Sequence, residues 1–448
     1  MHALRFLSVS VAMFGALALA ACDTAVVPGG SASAPSSAEA APARDAEAVA
    51  ELGLSYRYIN LTPGVYATAD DLNSRGRAVG QQTVGFNSFS AFAWQNGRLV
   101  DFGTRFGIGN AQAVGDDGRV VGSFQFGAGE PFRAYLFQRG VVTDLGTGSS
   151  SGSSGSIAFD VNSAGQVVGS RREVIADPEF PSEAVLWQDG EVIQLGTLGG
   201  VGGFSPTSVA NAINEQGQIV GDARVPFPEF QPYHPFVWES GVMRDIDPEL
   251  LSGQATDVND RGIVVGRASV NGEATTAHRW DLATSQRRSL GTLGGANSSA
   301  YGLNERGQVV GTSGISVSNG LFNHAFVWER GRMVDLNTVT QDLPADVVLE
   351  SAQAINDDGW IVGNTCTLGG IFCSVSDAAL THAYLLIPEP IGESAQAEVD
   401  RVKAGVAAAF GADPDLSRRA AKTEQEAAGR GELRADERFP DERFAPLP

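Results

Sequence analysis

Leu290–Gly311 reads LGTLGGANSSAYGLNERGQVVG, and from His324 the chain continues HAFVWERGRMVDLN. In the first phrase, SSAYGL (298–303) and QVVGT (308–312) flank Asn304-Glu305-Arg306-Gly307. An asparagine that bonds nearby backbone and a glycine free to take positive φ suit a tight reversal there. HAFVW (324–328) and RMVDL (332–336) flank Glu329-Arg330-Gly331, again with glycine where a hairpin needs it. Two consecutive hairpins predict a four-stranded antiparallel unit.

The unit recurs along the chain. N-x-x-G-x-x-V-G and close relatives end at Gly80, Gly122, Gly169, Gly221, Gly266, Gly311 and Gly363, at intervals of 42, 47, 52, 45, 45 and 52 residues. Gly115 replaces the asparagine in the second copy. Such periods mark a repeat architecture, in which each unit folds only by stacking its apolar faces on its neighbours. Seven four-stranded units predict an all-β, seven-bladed propeller, with a linear β-solenoid as the competitor. The ends favour the ring. After HAYLLI, from His382, the seventh unit offers no fourth strand, whereas YRYINL (56–61) precedes the first unit and resembles one. The N-terminal strand is therefore expected to complete the last blade, leaving no incomplete edge there. Trp94, Trp187, Trp238, Trp280 and Trp328 share one place near the end of the third strand, taken by Phe137 and Leu386 in the other units. Repetition points to interblade core rather than to a sugar-stacking ladder.

Composition bounds the partners. The 448-residue chain carries a formal net charge of -21, and its two lysines, Lys403 and Lys422, lie beyond the repeats. A nucleic-acid backbone is a poor partner for such a body. Residues 1–21 have one arginine, a short apolar run and small residues before Cys22, the pattern of an export signal. Leu19-Ala20-Ala21-Cys22 resembles the bacterial lipoprotein signal, which implies cleavage before Cys22 and lipid on its thiol; an ordinary signal peptide with Cys22 incidental is the alternative. Residues 22–50, rich in Ala, Ser and Pro, read as a tether. Residues 51–390 form the propeller, and 391–448 a short helix (395–410) followed by a charged tail. The expected setting is an exported monomer, anchored in the bilayer of the cell envelope or else secreted.

Recognition is expected on one side. The turns joining strands one to two and three to four stay short, whereas the two-to-three and four-to-one connections vary, and in an antiparallel blade these emerge together. Loops on a rigid scaffold carry recognition. The candidate binding loops contain Glu179 and Phe180 (171–183), Phe227, Pro228, Glu229, Phe230 and Tyr233 (223–234), Phe322 (313–324) and Phe372. Cys366 and Cys373 flank TLGGIF and suit a loop disulfide in an exported protein. Such loops fit an envelope protein or a glycan.

Catalytic and metal constellations find little support. His234, His324 and His382 open third strands, and a ring position spreads them too far apart for one ion. Asp101, Asp144, Asp245 and Asp335 recur at the end of strand four, which argues for blade chemistry. NDRG (259–262) and NDDG (356–359) lack the ligands of a calcium loop. No nucleophile elbow, zinc helix or phosphate loop is present, so no catalytic residue, metal or cofactor is assigned. An envelope glycan-processing enzyme using loop carboxylates, or a purely structural module, are the alternatives to a binding scaffold.

HPFVW (234–238), LGTLGG (195–200 and 290–295), INEQGQIVG (213–221) and HAF at 324–326 resemble the bacterial extracellular repeats of the HAF family over about residues 52–388. AYLF (134–137) and AHRW (277–280) depart from its phrase. The resemblance implies an exported repeat protein and supplies no activity.

Overall fold

A computed structural model describes residues 54–389 except 86–87, 102–107, 126–129, 149–153, 174–181, 200–206, 227–231, 316–322 and 368–380. Six four-stranded antiparallel sheets and one five-stranded sheet form a closed seven-bladed propeller. The inner strands are Ala67–Leu72, Ile108–Val114, Ser154–Val161, Ser208–Ile213, Ser252–Val258, Gly294–Leu303 and Val347–Ile355, in blades 1 to 7. Adjacent inner strands touch around the whole ring and enclose a central channel.

Blade 7 closes as expected. Tyr56–Asn60 pairs antiparallel with Ala383–Pro388, in register from Tyr56 opposite Pro388 to Asn60 opposite Tyr384. The sheet exceeds the expected four strands, because Thr340–Gln341 pairs parallel with Tyr56 and Arg57. That short strand follows a one-turn helix, Leu336–Val339, in the crossover from blade 6, a segment too short to leave a periodic signal.

Seven apolar clusters sit at the seven seams. The third-strand aromatics fill them as predicted: Trp94, Trp187, Trp280, Trp328, Phe137 and Leu386 are buried, and Trp238 packs half-buried against the seam of blades 3 and 4. Each faces the blade before its own.

The recurring phrase gains a mechanical meaning. Every inner strand carries a bulge, as between Ala69 and Asp71 or Ala210 and Ala212, opposite the final glycine of the phrase. The bulge brings the inner backbone so close that a Cβ at Gly221 would lie 1.9 Å from the Val209 carbonyl oxygen. Only glycine fits there, which is why it recurs in every blade.

The asparagine does two jobs. Asn214 Oδ1 accepts from the backbone N–H groups of Gln216 (3.1 Å) and Gln218 (2.9 Å), shaping its own turn. Its Nδ2 donates to the Asn259 carbonyl of the next blade at 3.0 Å. The same step runs from Asn259 to Asn304, Asn304 to Asn356, Asn356 to Asn73, Asn73 to Gly115 and Asn162 to Asn214. Only the step from blade 2 to blade 3 is missing, because Gly115 has no side chain; Arg119 Nη1 reaches Ser163 O across that seam at 3.0 Å instead. A parallel girdle uses carboxylates: Asp116, Glu215, Asp260, Glu305 and Asp357 each accept from a backbone N–H of the blade before. Asp260 of NDRG and Asp357 of NDDG are thus spent on the ring.

Candidate functional site

The histidines and aspartates of the phrase belong to the blades. His234 Nδ1 lies 2.8 Å from Asp245 Oδ2, and His324 Nδ1 2.6 Å from Asp335 Oδ2. Arg133 pairs with Asp144 at 2.8 Å, and Ser90 Oγ donates to Asp101, in the same place on other blades. The second carboxylate oxygen then receives the chain as it leaves for the next blade, Asp247 N at 2.8 Å from Asp245 Oδ1 and Asn337 N at 2.9 Å from Asp335 Oδ1. His382 Nδ1 lies 3.1 Å from the Val65 carbonyl, and His278 Nδ1 2.9 Å from that of Thr276. Among the described residues, no group of three or more His, Cys, Asp or Glu could hold a metal ion.

Of the predicted loop residues, Tyr233 opens the third strand of blade 4, where its hydroxyl accepts from Arg224 Nε at 3.2 Å and the guanidinium lies 5.3 Å from its ring centre. Cys366 ends in a buried strand position and is disulfide-bonded. Cys22, Glu179, Phe180, Phe227, Pro228, Glu229, Phe230, Phe322, Phe372 and Cys373 lie outside the described residues.

The channel is lined by carboxylates that not all seven repeats share. Asp71, Asp160 and Asp257 occupy equivalent inner-strand positions in blades 1, 3 and 5, and each Oδ2 accepts the N–H of the next blade's inner strand: Val114 at 2.7 Å, Ile213 at 2.8 Å and Leu303 at 2.9 Å. They line the bore half-buried. Desolvation pushes their carboxyls up to about 6, 8 and 7 respectively, and Asp71 adds its charge to the other two. The trace they leave in the sequence is D-[LV]-N at 71–73, 160–162 and 257–259.

Nearer the loop-bearing face lies a more varied group. Asp222 in blade 4 is pushed up to about 6 by burial, against the hydrogen bond from Asn211 (3.1 Å) and the charge of Arg267. Arg267 Nε donates to Gln254 Oε1 at 2.8 Å. Glu350 in blade 7 is pushed up to about 7 by burial alone. Burial raises Asp70 in blade 1 far above the usual carboxylate range, with Asp71 adding to it. Near neutral pH this bore can hold protons, exchange them, or receive a cation.

No family model matches the chain, and no curated protein does either. Its fold is similar to an acylaminoacyl peptidase of Pyrococcus horikoshii, at 11% identity and a TM-score of 0.43, covering 75% of this chain and 54% of that one. A puromycin hydrolase matches at 13% identity and 0.45, covering 67% and 50%, and TolB from Acinetobacter baumannii at 9% and 0.36, covering 79% and 69%. The chain spans about half the length of the two enzymes, and the likeness is one of fold alone.

Proposed function

We propose that the protein is a cell-envelope lipoprotein, tethered through Cys22, whose propeller binds another protein or a carbohydrate through its loop-bearing face. The contrast between the two faces carries this reading. On one side each one-to-two turn has four or five residues, and most three-to-four turns have two. The asparagine ladder and the carboxylate girdle run along that side. On the other side the two-to-three connection ranges from two residues (86–87) in blade 1 to fifteen (368–382) in blade 7. The channel toward that mouth holds Glu350, whose carboxyl burial pushes up to about 7. Variable connections over a rigid ring are where recognition is built.

The test passes the whole purified protein over an envelope protein extract and an envelope glycan panel, with a variant in which 224–232 is cut to a short turn. Saturable capture, lost in that variant while the unfolding midpoint holds, is expected. Release of product from a glycan would replace this reading with an enzymatic one. Absence of both capture and turnover would leave a structural module.

A further inference from the structure

One cross-strand row in blade 5 breaks a rule that the other blades keep. Val265, Arg279 and Arg288 lie directly opposite one another on the second, third and fourth strands, so their side chains share one face. That face looks toward blade 6, since Val265 and Ala277, two residues before Arg279, belong to the seam cluster that contains Trp328. At the place of Arg279 the other blades carry Ala93, Leu136, Leu186, Val237, Val327 and Leu385, each opposite a valine of the second strand. Blade 5 puts a charge where its six siblings keep an aliphatic side chain.

Like charges directly opposite on adjacent strands repel. Among the described residues neither guanidinium makes a hydrogen bond or an ion pair. Arg288 reaches across the seam: its Cζ lies 5.2 Å from the centre of the Trp328 ring, and a Cβ at Gly331 of blade 6 would fall 3.0 Å from its Nη2. The stack on tryptophan holds that guanidinium in place and leaves its charge unneutralised. Both groups can be reached, because Arg288 is exposed and no nitrogen of the half-buried Arg279 is sealed from solvent. Arg287, between them and the opposite face, is already paired with Asp247 at 2.7 Å. The acid next along the third strand, Asp281, has its Oδ1 bonded to the N–H groups of Ala283 and Thr284, each at 3.0 Å. Two positive charges therefore stand against one negative.

A guanidinium presents its donors in a rigid fork, and two forks side by side suit an anion with more oxygens and more charge than one carboxylate. A phosphate monoester carries about −1.5 to −2 charge at pH 7 and three acceptor oxygens. Such a group would offset the repulsion that the row now bears. We propose that Arg279 and Arg288 hold a phosphate group on the outer rim, at the seam of blades 5 and 6. The free ion and a lipid headgroup monoester share this chemistry. The third strand ends at Asp281, on the short-turn side, so the site stands or falls apart from the loop-bearing face.

Thermal unfolding of the whole protein at constant ionic strength tests this, with inorganic phosphate, dihexanoyl phosphatidic acid and, as the control without net charge, dihexanoyl phosphatidylcholine. The midpoint rises saturably with at least one of the first two and not with the third. Tighter binding of phosphatidic acid assigns a headgroup, and equal or tighter binding of inorganic phosphate assigns the free ion. Arg279→Leu, leucine being the residue of blades 2, 3 and 7, weakens binding about tenfold or more. The same variant raises the midpoint in phosphate-free buffer, because it removes the repulsion and restores the aliphatic row; a purely structural arginine would lower it. Arg288→Gln loses binding likewise and serves as the second variant. Arg244→Gln removes the arginine at the matching place in blade 4, which stands opposite Val237, and leaves binding unchanged. No response to either phosphate probe, a response kept in Arg279→Leu, or an equal loss in Arg244→Gln overturns the proposal.

Discussion

Gly115→Asn should stabilise the propeller by completing the asparagine ladder. Six of the seven seams are crossed by an asparagine Nδ2, and the seam from blade 2 to blade 3 is the exception. Gly115 does not have positive φ, and a Cβ there would meet nothing closer than Asp117 Oδ1 at 3.3 Å and Val161 Cγ1 at 3.6 Å. A side chain therefore fits with a small yield by Asp117. Its amide would point at the Asn162 carbonyl, the position the other blades use. Replacing glycine where the backbone allows it contributes about 0.4–1 kcal/mol through the unfolded chain. One buried hydrogen bond adds about 1 kcal/mol. Part is lost because the new Oδ1 competes with Asp117 Oδ1 for the Arg119 N–H, now bonded at 3.0 Å. The net expectation is about 1–2 kcal/mol, or about 2–4 °C in the thermal midpoint. Calorimetry of wild type, Gly115→Ala and Gly115→Asn separates the terms, since alanine carries only the backbone part. An asparagine variant no more stable than the alanine variant would refute the ladder as a stabilising device.

Gly221→Ala should cost several kcal/mol, since its Cβ would fall 1.9 Å from the Val209 carbonyl oxygen and the bulge has to open; a midpoint within a degree of wild type would contradict this. Asp70→Asn should stabilise by about 1 kcal/mol in denaturant titrations, because Asn211 and Thr256 at the matching bulges donate to the next blade's alanine carbonyl (2.8 and 3.0 Å), whereas Asp70 Oδ2 is sealed from solvent without a hydrogen bond. Asp71, Asp160 and Asp257 have folded-state values raised above the unfolded carboxyl, so the folded state holds their protons more tightly. Their contribution is complete below about pH 4 and is lost as pH rises through about 6 to 8, so the unfolding midpoint should fall between pH 5 and pH 8.5. Asp160→Asn should flatten the upper part of that profile, and an unchanged slope would contradict the assignment. Trp280→Ala, at 2% exposure in the seam of blades 4 and 5, should cost about 3–5 kcal/mol by the same titration.

Blade number, hairpins, interblade aromatics and the closing strand were all legible in the sequence, because each rests on local alternation or on comparison of one repeat with the next. The sideways reach of Asn214 to Asn259 was not, since recurrence shows that asparagine is needed but not which of its atoms is used. The Thr340–Gln341 strand was missed because two residues carry no period. Asp71, Asp160 and Asp257 escaped notice for a different reason. They recur in alternate blades, so a search for what all seven units share discards them. Glu350 is set by a bulge present in one blade, the kind of departure that a consensus erases. The predicted loop aromatics and carboxylates fall outside the described residues, apart from Tyr233, which the structure places beside Arg224.

The closing strand also imposes an order in time. Tyr56–Asn60 leaves the ribosome early, and its partners, Tyr384–Pro388, are made more than 320 residues later. Until Thr340–Gln341 and then Tyr384–Pro388 emerge, the first of these segments is an unpaired edge, and blade 1 lacks one neighbour. Blades 1 to 6 can stack as they emerge, but the circle shuts only in the last act of synthesis. A chain truncated just before Ala383 would therefore keep its first six blades and still be an open arc with two apolar flanks exposed.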